Sequence, residues 1–253
     1  VDDLPLECHR IVDRCDFRYR HLERTERDRL INEILQRIDT GNFWVSGPGS
    51  QEKWDTGWYE NLQDYLNTGD IAALTPKFIR PDVTVRLNRD YVQPLDSNFE
   101  FNFVDVYRRW AFDKYFKRCD AIYEFGCGSC QHLPVLAQMY PDTQLHGLDW
   151  SEASLSIIER LKLDKSWDIQ GHRFDLFSPD ESIRFYGDVG VLTIGTMEQL
   201  GKNYGTFLSY LIRNRPAVVV HMETIGELYD PHILTDYLAL KYDRARNYLQ
   251  GYL

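Results

Sequence analysis

The chemistry-bearing stretch of this chain is Glu124-Phe-Gly-Cys-Gly-Ser-Cys130, which sets a C-x-x-C pair, Cys127 and Cys130, inside a glycine-rich turn. Two kinds of chemistry compete for it. Thiols at this spacing form a redox or metal dithiol when their surroundings lower the thiol pKa or add ligands. Glycines at 126 and 128 instead allow a tight turn with no Cβ in the way, so that a ligand can approach the main chain. A structural zinc site needs two more ligands; His132 is adjacent and His146 lies a strand away, but there is no second C-x-x-C. A thioredoxin-like pair usually carries Pro or aromatic neighbours. The two thiols therefore read as small residues lining a ligand turn.

The elements that must position this turn are written in the alternation around it. Strand patterns occur at AIYEF, TQLHGLD, HRFDL, VGVLTIG and AVVVHME, with helices expected at about 131–139, 152–162, 197–213 and 232–250. Such alternation predicts an α/β fold, doubly wound, with a mostly parallel sheet and helices on both faces. Ligands bind such sheets at the carboxyl ends of the strands, so the turn after the first strand matters most. The next helix is expected to begin near Gln131 and to point its free N–H groups at the ligand. Upstream, residues 7–39 read as one or two helices, with a capping box at Thr25–Asp28 and a stop at Gly41. VTVRLNRDYVQP reads as a hairpin or bent strand, and Asp96-Ser-Asn98 as the cap of a helix over about 99–117. The expected division is an N-terminal helical and aromatic cap over 1–95 and a ligand-binding domain over 96–253.

Three cofactor patterns can be tested against the turn. A dinucleotide fingerprint, G-x-G-x-x-G/A, would put bulky Gln131 at its third small position, and a P-loop G-x-x-x-x-G-K-[ST] is absent. E-x-G-x-G fits, and with its flanks the stretch from Tyr107 to Arg244 resembles the class I S-adenosylmethionine-dependent methyltransferases, with their Rossmann-like sheet. Cys130 stands where many members have a third Gly. The resemblance implies S-adenosyl-L-methionine as cofactor, bound by Glu124, Gly126 and Gly128 of the turn. It implies that Asp149, ending the second strand, takes the ribose hydroxyls, a role a carboxylate suits because it accepts from both. Trp150 would lie against the adenine, Asp175 would accept from its amino group with Leu176 beside it, and Thr193, Gly195 and Thr196 would flank the methionine part. Glu198 stands where many small-molecule members have a Glu. The family sheet usually closes with two further strands, so the domain is expected to be truncated at its C-terminal end.

Methyl transfer from a sulfonium is an in-line displacement that asks the protein to align the nucleophile, exclude water and, for an alcohol, remove a proton. Candidates at the ends of the fourth and fifth strands are His221, Glu198 and Glu223; His suits proton transfer near neutral pH, with a structural strand-end role as its alternative. No metal site is assigned. The aromatic segment from Phe43 to Leu62 is a candidate lid, with Trp44, Trp54, Trp58 and Tyr59 closing on hinges at Gly47 and Gly49, or else an ordinary packed cap. The arginines between Arg10 and Arg29 read as a solvated face among acidic residues.

A net charge of −10 argues against a nucleic-acid partner, since phosphate affinity comes from Lys and Arg. The absence of an N-P-P-[YFW] motif and of a Pro-Cys dipeptide argues against DNA base methylation. No apolar run has membrane-spanning length, so no membrane partner is expected. Five cysteines with no framework spacing point to reduced thiols in a cytoplasmic protein. The expected activity is methyl transfer to a small molecule, O-methylation of a sugar-containing or phenolic metabolite first. A non-catalytic S-adenosylmethionine-binding module and a nicotinamide-dependent oxidoreductase are the alternatives.

Overall fold

The structure is a computed structural model that describes residues 4–253. In chain order the elements are α1 (Leu6–Arg14), β1 (Tyr19–His21), α2 (Arg24–Thr40), α3 (Gln51–Thr68), β2 (Val85–Leu87), β3 (Asp90–Pro94), α4 (Phe99–Phe116), β4 (Ala121–Phe125), α5 (Leu133–Met139), β5 (Gln144–Asp149), α6 (Glu152–Lys165), β6 (Ile169–Arg173), β7 (Val189–Ile194), α7 (Gly205–Asn214), β8 (Val218–Met222) and α8 (Leu234–Ala245). They form two compact units that interleave along the chain. One takes the chain up to Val45, Phe78–Asp113 and Ile225–Leu253; the other takes Ser46–Lys77 and Lys114–Thr224.

The first unit holds a small antiparallel sheet in the order β1-β3-β2. The expected hairpin is β2–β3, turning at Asn88 and Arg89 with φ of 49° and 63°. It belongs to this sheet, so it does not extend the parallel one. α2 ends at Gly41 in the left-handed conformation, as its sequence predicts. Its capping box uses Glu23 and Glu26, not Thr25 and Asp28, because the helix already starts at Arg24. The arginines here lie mostly at the surface, paired as Arg18–Asp16, Arg20–Glu26 and Arg24–Asp28.

The second unit is the predicted doubly wound α/β body. Its sheet has five parallel strands in the order β6-β5-β4-β7-β8. β4, buried at all five residues, is central, and such a strand can only be a continuous apolar run with polar members held by partners. Tyr123 and Phe125 face one side with Phe185 and with Phe207 and Tyr210 of α7. The opposite side is covered by α5 and α6: Leu133 and Ile158 fill the space beside Gly147, where a Cβ would lie 2.6 Å from Ile158 Cδ1 and 2.9 Å from Leu133 Cδ1. Strand order reverses between β4 and β7, and this switch point is where the carboxyl ends leave a crevice.

Two expectations are corrected. The third strand is Ile169–Arg173, three residues before HRFDL, so Asp175 and Leu176 lie beyond its end. The segment expected as an aromatic lid on glycine hinges is largely the helix α3, entered through a 3-10 turn at Pro48–Ser50. Its buried residues Asn61, Leu62 and Tyr65 continue the spacing of Trp54 and Trp58 along one face, and α3 packs on α6.

Candidate functional site

The turn after β4 needs its glycines. Gly126 has φ 67° and Gly128 φ 53°. A Cβ on Gly126 would stand 2.3 Å from Thr196 Cγ2, and the Thr196 hydroxyl donates to the Gly126 carbonyl at 3.2 Å, so the turns after β4 and β7 lock together. Cys130 also lies in the left-handed region, φ 62°, at the place of the third small residue.

Four of the turn's amides are committed within the protein. Gly126 and Cys127 donate to the Leu148 carbonyl at 2.7 and 3.2 Å, Cys130 to Cys127 at 2.8 Å, and Gly128 to Asp149 Oδ2 at 2.8 Å. The other Asp149 oxygen accepts from Ser151 N at 2.9 Å. Helix α5 begins at Leu133, later than expected, and its second residue, Pro134, has no N–H. A buried carboxylate thus sits where an anion-binding turn would present donors. Burial lifts the pKa of Asp149 to about 6 against the pull of its amide donors, with the Asp55 charge adding to the rise.

Helix α3 reaches the same turn. The Trp58 indole covers Gly128, where a Cβ would lie 2.8 Å from its Cζ2, and Trp54 stacks on Trp58 at 5.2 Å. Asp55 accepts a hydrogen bond from the hydroxyl of Ser151, the N-cap of α6, next to Trp150. Of the expected lid residues, Trp54 and Trp58 are therefore at the turn, Tyr59 is exposed, and Trp44 belongs to the other unit, over the Arg246 guanidinium. Asp55 was missed by sequence reasoning; the signal was its place beside the 54/58 helical pair.

At the ends of β7 and β8 a second polar group forms. Thr193 Oγ1 donates to Glu223 Oε1 at 2.6 Å, so His221 Nδ1, 2.8 Å away, must be the donor to Thr193. Burial depresses the His221 pKa to about 4, which leaves the ring neutral at pH 7. Glu223 also accepts from the amides of Thr196 and Glu198, both at 3.2 Å, and so ties down the 3-10 turn Met197–Leu200. Burial raises its pKa in spite of these donors. Glu198 accepts from the Gln199 amide at 2.9 Å. Gly195, at φ 61°, is exposed, with open space where a side chain would be. Glu124 is buried beneath the turn. Asp175 sits in its own turn, Oδ1 accepting from Phe177 N at 2.9 Å, with Leu176 buried behind it.

The C-x-x-C is a pair of inert thiols. Both are buried, 3.9 Å apart; the neighbouring Cys130 thiol and burial push Cys127 well above the usual thiol range, and burial raises Cys130. Among the described residues no group of three or more His, Cys, Asp or Glu could hold a metal. Replacing both with serine is expected to leave ligand affinity within about twofold; a lost metal or redox couple in that double variant, seen by elemental analysis or thiol titration, would restore the dithiol reading.

No family model matches this chain, and no curated protein matches it. Solved structures do. Coclaurine N-methyltransferase bound to N-methylheliamine and SAH is 15% identical with a TM-score of 0.46, the match covering 77% of this chain and 57% of that one. The plantazolicin methyltransferase BpumL in complex with SAH is 13% identical at a TM-score of 0.41, covering 86% and 74%. Geranyl diphosphate C-methyltransferase from Streptomyces coelicolor is 12% identical at 0.38, covering 63% and 61%. The first structures matched are spanned only in part, 41% of one from echinomycin biosynthesis and 19% of PKMT2 from Rickettsia typhi. Among the described residues, no helix is long and apolar enough to cross a membrane.

Proposed function

We propose that this chain is an S-adenosylmethionine-dependent methyltransferase that acts on a small-molecule hydroxyl, of a sugar-containing or phenolic metabolite. The observation that carries the cofactor is the buried Asp149 carboxylate in a glycine turn where four amides are committed to the protein. A pyrophosphate would meet a negative charge and few donors there. A ribose diol meets an acceptor: a carboxylate has about four lone-pair sites, and its amide donors, Gly128, Ser151 and Trp150, leave part of that capacity for a ligand. The open space is at Gly195, where a side chain would meet nothing within 4 Å, while Thr196 closes over Gly126 and Trp58 over Gly128.

When bound, the cofactor supplies a methyl group on a positively charged sulfur, ready for displacement. The chain's own residues do the rest. Trp150 offers an indole face to an adenine, with Asp175 and Leu176 at its edge. Thr196 keeps the β4 and β7 turns in register. His221 is the candidate base for an acceptor hydroxyl: it is neutral, oriented through Nδ1–H on Thr193, and backed by Glu223. Because burial makes the ring a weak base, the Glu223 charge behind Thr193 is what would favour proton uptake as the hydroxyl acidifies. Glu223 itself serves as an anchor of that relay, and Glu198 stands at the rim of the 3-10 turn. Five free thiols among the described residues fit a cytoplasmic location.

Calorimetric titration with S-adenosylhomocysteine, with NAD in parallel, tests the cofactor; micromolar binding of the former alone is expected, and preference for NAD would overturn it. With an acceptor found among sugars and phenols, His221→Ala is expected to cut kcat by about 10²-fold or more while cofactor affinity changes little. Equal losses in both would make His221 structural.

A further inference from the structure

The glycine turn contains an unmet hydroxyl. Ser129, between Gly128 and Cys130, is 2% exposed, and its hydroxyl has no hydrogen-bond partner. Buried hydroxyls are normally satisfied, and an orphan inside a ligand turn points to a partner that comes with the ligand. Beside it, Asp55 and Asp149 are bridged by one residue: Ser151 donates its amide to Asp149 and its hydroxyl to Asp55. Trp58 lies on Gly128, held from behind by Trp54. Trp58 has Trp54 four residues before it and Asp55 three residues before it on α3, spacings at which side chains on a helix are neighbours.

We propose that Ser129, Asp55 and Trp58 complete the ligand site and select an adenosine-type ligand that carries no 5′ phosphate. This rests on the cofactor reading and sharpens it to a charge rule. Asp149, bonded to the turn, and Asp55, close enough to act on it, together repel a phosphate, and with four of the turn's amides committed there is less to hold one. A neutral or cationic 5′ substituent meets no such penalty. Trp58 gives the ligand a planar apolar wall, and Ser129 gives its polar edge a hydroxyl that no protein group uses.

The test titrates the full chain with adenosine, AMP and S-adenosylhomocysteine by calorimetry and records melting temperatures without ligand. The wild-type chain is expected to bind adenosine at least about tenfold tighter than AMP, a ratio of the size expected for rejecting an uncompensated charge. Asp55→Asn should narrow that ratio at least about threefold, a change that a role in packing alone would not produce. Ser129→Ala should raise the melting temperature, since an orphan hydroxyl is removed, yet weaken adenosine and S-adenosylhomocysteine together about fivefold. Trp58→Ala should weaken adenosine and AMP alike. If S-adenosylhomocysteine binds the wild type but Asp55→Asn leaves the ratio unchanged and Ser129→Ala binds within twofold, this assignment falls and the cofactor reading stands. If the wild type binds neither adenosine nor S-adenosylhomocysteine, both fall.

Discussion

Alanine at Gly126 is expected to destabilise the chain by roughly 2–4 kcal/mol, the sum of a left-handed backbone penalty and an overpacked contact. Both parts have a visible cause. The backbone sits at φ 67°, and the new methyl would stand 2.3 Å from Thr196 Cγ2 and 2.6 Å from its hydroxyl. The Thr196 side chain is not a free end that can swing aside, because its Oγ1 is bonded to the Gly126 carbonyl. A second change, Thr196→Ala, removes two of the three nearest atoms and should recover about 1 kcal/mol or more of the loss, leaving the φ penalty in place. Urea unfolding of the two single variants and the double measures this. Strict additivity would mean that the two turns are not locked as described.

Asp149→Ala carries the second large effect, on binding. Loss of charge-assisted bonds to a ribose should weaken S-adenosylhomocysteine by at least ~1.5 kcal/mol, tenfold or more. The variant also strips the Gly128 and Ser151 amides of their acceptor. Asp149→Asn keeps one acceptor oxygen and is the cleaner probe. The pH dependence has a definite sign. With a pKa of about 6, the wild-type carboxylate is ionised at neutral pH and takes a proton below that value. Ligand affinity should therefore be flat above about pH 7 and fall as pH drops through 6, whereas Asp149→Asn should be weaker and flat. Stability runs the other way for this group. Its folded pKa exceeds the unfolded 3.8, so the cost of burying the charge is present above pH 6 and is relieved as pH falls toward 4. Unchanged affinity in both variants would remove Asp149 from the site.

The parallel sheet was legible because its strands are apolar runs bounded by turn residues, and β4, β5, β7 and β8 stand within a residue or so of their expected places. β6 was not. Its residues, IQGHR, are polar and contain a glycine, while Phe174 and Leu176 just beyond mimic strand alternation although they are buried from a turn that Asp175 builds with its own side chain. Helix α3 was hidden by Gly57 and by an aromatic content that reads as a loop; the recurrence of 54, 58, 62 and 65 was the available sign. In the site, the glycines and Asp149 could be read from motif order. The Thr193 bridge between His221 and Glu223, and the bridge through Ser151 to Asp55, join residues 28 and 96 positions apart in the chain and follow only from the register of strands and the packing of α3.

The interleaving of the two units bears on the order in which the chain can fold as it leaves the ribosome. Two of the three segments of the first unit, ending at Val45 and Asp113, are made early, but the third starts only at Ile225. The second unit is complete once Thr224 has emerged. Synthesis thus finishes the parallel sheet first, growing outward from its central strand, while the first unit still lacks its last segment. Helix α2, made well before the sheet, meets its partner α8 only after the sheet is complete.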